Sequence, residues 1–391
     1  MRKKIDIKII MVILALVLGG LYIFLFRGSL GSSNTDARFV STGISLRYEY
    51  SPNLNTFTTP NGFFFGSKDG IRFITTRGET RFNMPLNMRE PVFKSFGDFV
   101  GLAENGGRIF YLFNENGLVF SQTYEEPNSG IINFSVNEAG YTSVIVRMGD
   151  NYRIFVYNAS GQSPLTVTYQ DRNTIPVASA VSIDGQILAI SSVDFGGINL
   201  EPEIRFYYTR EALAGSLTDG IFGAISGVSG EIIARLEFLG GNHLVAISGH
   251  RLSVIETGGN NLIRPVFEYE FNNHVSHIAF PDNNSIAVAL GQNFLNQNSP
   301  HNEGTVLFFD IRQGLTNYYE TNSPISFLAG GLGCAIIAHG NLGRNVTAVD
   351  LRGRSLWDYV VTQDIKDMQF LTRTSRVVFV FALSLDVMEI E

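Results

Sequence analysis

The six histidines of this chain, His243, His250, His274, His277, His301 and His339, are the first residues whose type suits a metal ion or a proton relay. Their spacing argues against both. His274 and His277 stand three apart, which on a strand sends them to opposite faces. His243 and His250 fall at either end of one apolar run, so no shared metal site is expected. The single cysteine, Cys334, opens an apolar run and reads as a small buried hydrophobe. Two acidic turns, Gly149-Asp150-Asn151 and Pro281-Asp282-Asn283-Asn284, lack the alternating oxygen ligands of a calcium loop and read as strand connections. Gly331-Leu332-Gly333 supplies two glycines of a dinucleotide fingerprint, but Ile336 takes the third place and a strand pattern follows instead of a helix. A turn between the first two strands of a repeat is predicted there.

Other catalytic signatures are missing. There is no Gly-Lys dipeptide for a P-loop, no His-Glu for a zinc peptidase and no G-x-S-x-G elbow. No cofactor is expected. The net charge is −7, and Arg2, Lys3, Lys4 and Lys8 gather at the N-terminus, so the remainder is more acidic still. Such a surface repels phosphate backbones, and nucleic acid is not an expected partner.

Two long polar loops stand out, residues 193–203 (VDFGGINLEPE) and 292–303 (QNFLNQNSPHNE), each carrying one Phe. Loops that outgrow their equivalents often carry function. Asp194, Phe195, Asn199, Glu201, Phe294, Asn296, His301 and Glu303 are the candidate binding residues. A third insertion, residues 210–230, contains Glu211-Ala212-Leu213-Ala214, which reads as one helical turn. Paired aromatics at Phe63-Phe64-Phe65, Tyr207-Tyr208, Phe308-Phe309 and Tyr318-Tyr319 read as core packing.

The elements that must position these loops are short strands. Apolar runs at residues 62–65, 143–146, 187–190, 244–247, 286–290, 335–338 and 377–381 fit strands buried on both faces. Taking Phe64, Leu102, Ile145, Ala189, Val245, Ala287, Ile336 and Val378 as equivalent centres, the unit recurs about every 45 residues. Gly78, Gly117, Gly161, Gly258, Gly314 and Gly353 recur between a third and a fourth strand. A period of this length with four strands per unit predicts an all-β fold, an eight-bladed β-propeller. Seven blades is the alternative if one interval is misread. The last unit has room for three strands, and residues 44–50 (ISLRYEY) are expected to supply the fourth and close the ring. In this register both long loops join strand B to strand C, in blades four and six, and share one propeller face.

Residues 9–26 (IIMVILALVLGGLYIFLF) are uninterrupted apolar or Gly. As a helix they span about 27 Å, near the ~30 Å hydrocarbon core. Lys8 and Arg27 bracket the stretch, and the cationic cluster before it predicts a cytoplasmic N-terminus. The expected order is a cytoplasmic tail (1–8), a transmembrane signal anchor (9–26), a linker (27–42) and an extracytoplasmic propeller (43–391). A cleaved signal peptide is the competing reading, but the stretch ends in Tyr22-Ile23-Phe24-Leu25-Phe26 without an Ala-x-Ala site.

Residues 350–357 (DLRGRSLW) resemble the D-x-x-G-x-x-x-W core of the PQQ-like repeat, with weaker versions at Asn114-Glu115-Asn116-Gly117 and Asn158-Ala159-Ser160-Gly161. From Gly43 to Glu391 the chain resembles eight-bladed propellers of the PQQ-like and WD40-like kind, including bacterial proteins with a signal anchor ahead of such a propeller. The resemblance implies fold only. Trp357 is the one Trp, whereas quinone-dependent dehydrogenases of this fold repeat Trp in most blades. Outer-membrane assembly lipoproteins with this propeller need a lipidated Cys, and none lies near this N-terminus.

The expected function is a membrane-anchored interaction module of the cell envelope, with another envelope protein or a glycan as partner. The alternative is a propeller enzyme, a hydrolase or lyase, with a site at the mouth of the central channel. That reading expects acidic, His or Arg side chains with shifted pKa values to converge there, drawn from Asp194, Glu201, Glu203, His301 and Glu303.

Overall fold

The computed structural model describes residues 39–48, 54–210, 220–258, 261–291, 303–371 and 374–390. Among them the strands form eight four-stranded antiparallel sheets, each in the sequential order A-B-C-D, which makes the eight-bladed propeller. Blades one to seven cover residues 55–85, 91–123, 129–169, 174–226, 235–270, 275–320 and 325–360. The eighth takes strands Asp367–Phe370, Arg376–Val380 and Ser384–Ile390 from the C-terminus and Phe39–Arg47 from the other end of the chain.

Strand B of each blade is apolar because it is covered on both faces. Every residue of His243–Ile247 and of Ser285–Leu290 is buried. The outermost strand D has one covered face and alternates, as in Thr80–Pro85. The hydrophobic clusters lie between neighbouring blades, not within one. Phe64, Phe73 and Phe113 fill the space between blades one and two, while Phe309, Leu252 and Val254 lie between blades five and six. The paired aromatics are core residues except at Tyr318, which faces solvent from strand D of blade six at 54% exposure, next to half-buried Tyr319.

The DLRGRSLW segment shows how one turn is made. The Asp350 carboxylate accepts from the amides of Arg352 and Arg354, both at 2.9 Å. Gly353 adopts φ 73° and donates its amide to Asp350 O. Trp357 then lies on strand D of blade seven, where its ring meets Phe39 of the closing strand with centroids 4.1 Å apart.

An N-terminal strand closes the ring as expected, but its bounds differ from residues 44–50. The closing strand is Phe39–Arg47, so it takes in residues 39–42 that the sequence assigned to the linker, and the propeller unit is Arg38–Glu391. Phe39 pairs with Ile390 and Leu46 with Leu385, and a bulge between Ser41 and Ser45 holds Gly43 at φ 75°. A polar FVSTG run does not look like a strand until its partner strand is known. The 210–230 insertion is also corrected: strand D of blade four, Ile221–Ser226, lies inside it. The helical turn expected at residues 211–214 lies outside the described residues. So does the apolar stretch 9–26, and among the described residues no helix is long and apolar enough to cross a membrane.

Candidate functional site

The B–C loop of blade four joins strands Ile187–Asp194 and Glu201–Tyr208, with Asp194 and Glu201 as its last cross-strand pair. Asp194 accepts from the amide of Gly196 at 2.7 Å, an Asx turn that reverses the chain. Neighbouring connections clamp the loop from two sides. On one side the Phe195 amide donates to Asn173 O at 2.9 Å. Asn173 belongs to a turn that Asp171 organises by accepting from the Asn173 amide and the Thr174 hydroxyl. On the other side the amides of Gly227 and Gly230 donate to Pro202 O and Leu200 O, both at 2.8 Å. Ser229 Oγ donates to Glu201 Oε1 at 2.9 Å. The loop is long yet held at its base and flanks.

What it presents is apolar. Phe195 is 44% exposed and Ile198 fully so. Val228 and Ile232, in the connection from blade four to blade five, are 41% and 45% exposed. These two belong to the segment bonded to the loop, so four large apolar side chains share one rim region. Asn199 and Glu201 are exposed beside them.

Next to this rim a cleft opens between blades four and five. Its walls are Ile204, Ile225, Ile233, Val254, Ile255 and Pro265, and its polar end is Glu231, Arg251 and Glu268. Arg251 lies 3.5 Å from Glu231, 3.9 Å from Glu268 and 3.3 Å from Glu270. Ser248 Oγ also donates to Glu231 at 2.7 Å. Three carboxylates against one guanidinium leave this end acidic. The Arg251 Nε is buried without a hydrogen-bond partner. The cleft holds about 160 Å³, below the roughly 300 Å³ at which small-molecule pockets begin. It suits a side chain from a docking partner better than a whole cofactor.

The remaining sequence candidates are not gathered here. Glu203 pairs with Arg205 at 2.5 Å on strand C of blade four. Glu303 is half-buried ahead of strand C of blade six, and its carbonyl accepts from the Ile325 amide. Phe294, Asn296 and His301 lie outside the described residues. Among the described residues no hydrogen bond or ion pair joins the blade-four loop to Glu303. The described histidines are spread over blades five, six and seven. His250 and His274 meet edge-on at 5.7 Å, and His339 bonds Ser323 and Thr347. No group of three metal-ligating side chains occurs among the described residues. Cys334 is buried, its thiol pushed up to about 11 by desolvation and by Asp350. The Gly331–Gly333 segment is the A–B turn of blade seven, with Leu332 at φ 53°. Asp282 caps its own turn by accepting from the Asn284 amide at 2.7 Å.

Sequence reasoning missed Val228, Glu231, Ile232 and Arg251. The signal was present as Val228, Ile232 and Ile233 in a connection with Gly227, Ser229 and Gly230, but residues 227–230 read as the end of an insertion and the rest drew no reading.

This chain is thus an eight-bladed propeller with one apolar, acid-rimmed face region. Its sequence matches a family of unknown function, DUF5711, over residues 51–390, and the chain belongs to that family. No curated protein matches it in sequence. Among solved structures it is similar to BamB from Moraxella catarrhalis, at 11% identity and TM-score 0.53, over 90% of this chain and 100% of that one. It is also similar to BBS1N, solved in complex with ARL6DN, at 10% identity and TM-score 0.50, over 91% and 97% of the two chains. These likenesses are of fold.

Proposed function

We propose that the protein is a membrane-anchored, extracytoplasmic interaction module that binds another envelope protein through the B–C face of blades four and five. The observation that carries this reading is the group Phe195, Ile198, Val228 and Ile232, exposed together beside a side-chain-sized cleft. Fully covering Ile198 is worth about 1.5–3 kcal/mol, and covering what remains exposed of Phe195, Val228 and Ile232 adds roughly half as much for each, so together they can anchor a partner. The acidic end at Glu231, Glu268 and Glu270 selects a partner with a basic residue beside its apolar anchor. The anchor reading rests on the apolar stretch 9–26 and its flanking charges. That BBS1N is seen with ARL6DN illustrates protein docking on a propeller of similar fold.

The test is crosslinked capture from intact membranes, comparing the full chain with one whose residues 195–200 are replaced by Gly-Ser, and with another altered at residues 292–303. A protein captured by the wild type and lost with the blade-four loop supports the reading. Capture indifferent to both loops overturns it.

A further inference from the structure

A second cavity lies on the inner strands and shares no lining residue with the cleft between blades four and five. Strand A of five successive blades lines it, through Phe57, Lys94, Asn133, Ser179, Arg235 and Glu237 among others, and it holds about 380 Å³. That volume falls within the roughly 300–1,000 Å³ range of small-molecule sites.

Its charges are unusual for this chain. Only three Lys lie beyond the first eight residues, and one of them, Lys94, points into this cavity. Lys94 Nζ donates to Asn133 Oδ1 at 2.6 Å and sits 5.5 Å from the centre of the Phe134 ring. Asn133 is itself fixed, since its Nδ2 donates to Val177 O at 2.7 Å and its Oδ1 accepts from the Phe134 amide at 2.8 Å. An ammonium has three donors, and Asn133 satisfies one of them.

From blade five, Arg235 stands 3.8 Å from Glu237 and 5.4 Å from the centre of the Phe280 ring. The Arg235 side chain keeps 45% of its surface accessible, and Glu237 keeps 18%. The cavity therefore sets two cations against one carboxyl, inside a chain of net charge −7. Burial, which lowers Lys94 to about 8 and raises Glu237 to about 7, disfavours the charged form of each. The rest of the lining combines Ser95, Ser135 and Ser179 with an apolar side, where Phe57 and Phe93 are centred 5.9 Å apart and Phe96, Phe134 and Leu236 lie beside them.

The geometry points to a ligand site in this cavity for a small organic carboxylate: Lys94 and Arg235 hold the anionic group, and the Phe57–Phe93 side covers an apolar body. The ligand meets the two unused Lys94 donors, and Asn133 orients the ammonium toward it. Glu237 does not take the ligand; it holds Arg235 in place.

The test is calorimetric titration of the full chain in detergent at pH 6 with benzoate, with benzamide as its neutral isostere and with inorganic phosphate. Benzoate is expected to bind saturably at one site. Benzamide is expected to bind at least about tenfold more weakly, the worth of one hydrogen bond to a charged group. Lys94→Met and Arg235→Met are each expected to weaken benzoate by a similar factor, and Glu237→Gln to leave it bound. Circular dichroism and thermal melts confirm that each variant is folded. Equal affinity for benzoate and benzamide would overturn the charged contact. Equal affinity for phosphate and benzoate would overturn the apolar body. No benzoate binding by folded wild type at millimolar concentration would remove the site altogether.

Discussion

Ser229 Oγ lies 2.9 Å from Glu201 Oε1, and this bond fastens the B–C loop of blade four to the connection that enters blade five. Two segments that are separate in sequence thereby present Phe195, Ile198, Val228 and Ile232 on one rim. Because these side chains are exposed, changing them leaves the core untouched. Ile198→Asp and Phe195→Ser are expected to shift stability by no more than about 0.5 kcal/mol. Both are expected to abolish partner capture, read by denaturant unfolding and crosslinking side by side.

Closure of the ring rests on Phe39. Its ring meets Trp357, Tyr359 and Phe379 at centroid distances of 4.1, 5.4 and 5.3 Å, and it is 9% exposed. Phe39→Ala is expected to cost about 3 kcal/mol through the cavity it leaves. Leu332→Ala, at 60% exposure in a turn, serves as the near-neutral control. Urea unfolding of the two variants makes the comparison.

Two glycines separate backbone strain from collision. Gly353 (φ 73°) and Gly230 (φ 84°) both adopt left-handed conformations. A Cβ at Gly353 would stand 2.3 Å from Tyr318 O, whereas at Gly230 it meets nothing within 4 Å. Gly230→Ala is expected to cost about 1 kcal/mol from conformation alone, and Gly353→Ala clearly more. Equal losses in thermal unfolding would refute the contact at Tyr318.

The inner cavity makes stability depend on pH in two opposite ways. Burial raises Glu237 from 4.5 to about 7, against the pull of Arg235 and Lys94. Between those values the native state keeps a proton that the unfolded chain has released, so this group's contribution to stability is lost as pH rises toward 7. Burial lowers Lys94 from 10.5 to about 8, with Glu237 opposing and Arg235 adding to the shift. Between about pH 8 and 10.5 the unfolded chain holds the extra proton, so this contribution grows with pH. Relative to wild type, Glu237→Gln is expected to flatten the first slope and Lys94→Met the second, measured by denaturant midpoints across pH.

The sequence displayed the fold wherever one strand carried its own signal. Strand B of each blade is a continuous apolar run because both faces are covered, and Gly353 marks a turn by the conformation it must adopt. Strand D of blade four (IFGAIS) escaped notice because it is short, half exposed and preceded by Gly-rich chain. Phe39–Thr42 escaped because its only warrant is Ile390 and its neighbours at the far end of the chain. Among site residues, Phe195 and Glu201 were visible as features of one long loop. Arg251 with Glu231, and Lys94 near Glu237, were not visible, since only the ring topology brings such residues together.

The most direct measurement places a photo-crosslinking residue at Ile198 on the B–C rim of blade four, or at Leu332 in the A–B turn of blade seven on the opposite rim, in the full chain in intact membranes. The docking account expects one protein crosslinked from position 198, lost on Phe195→Ser, and no such product from position 332. Equal products from both positions, or a product from position 332 alone, would contradict it.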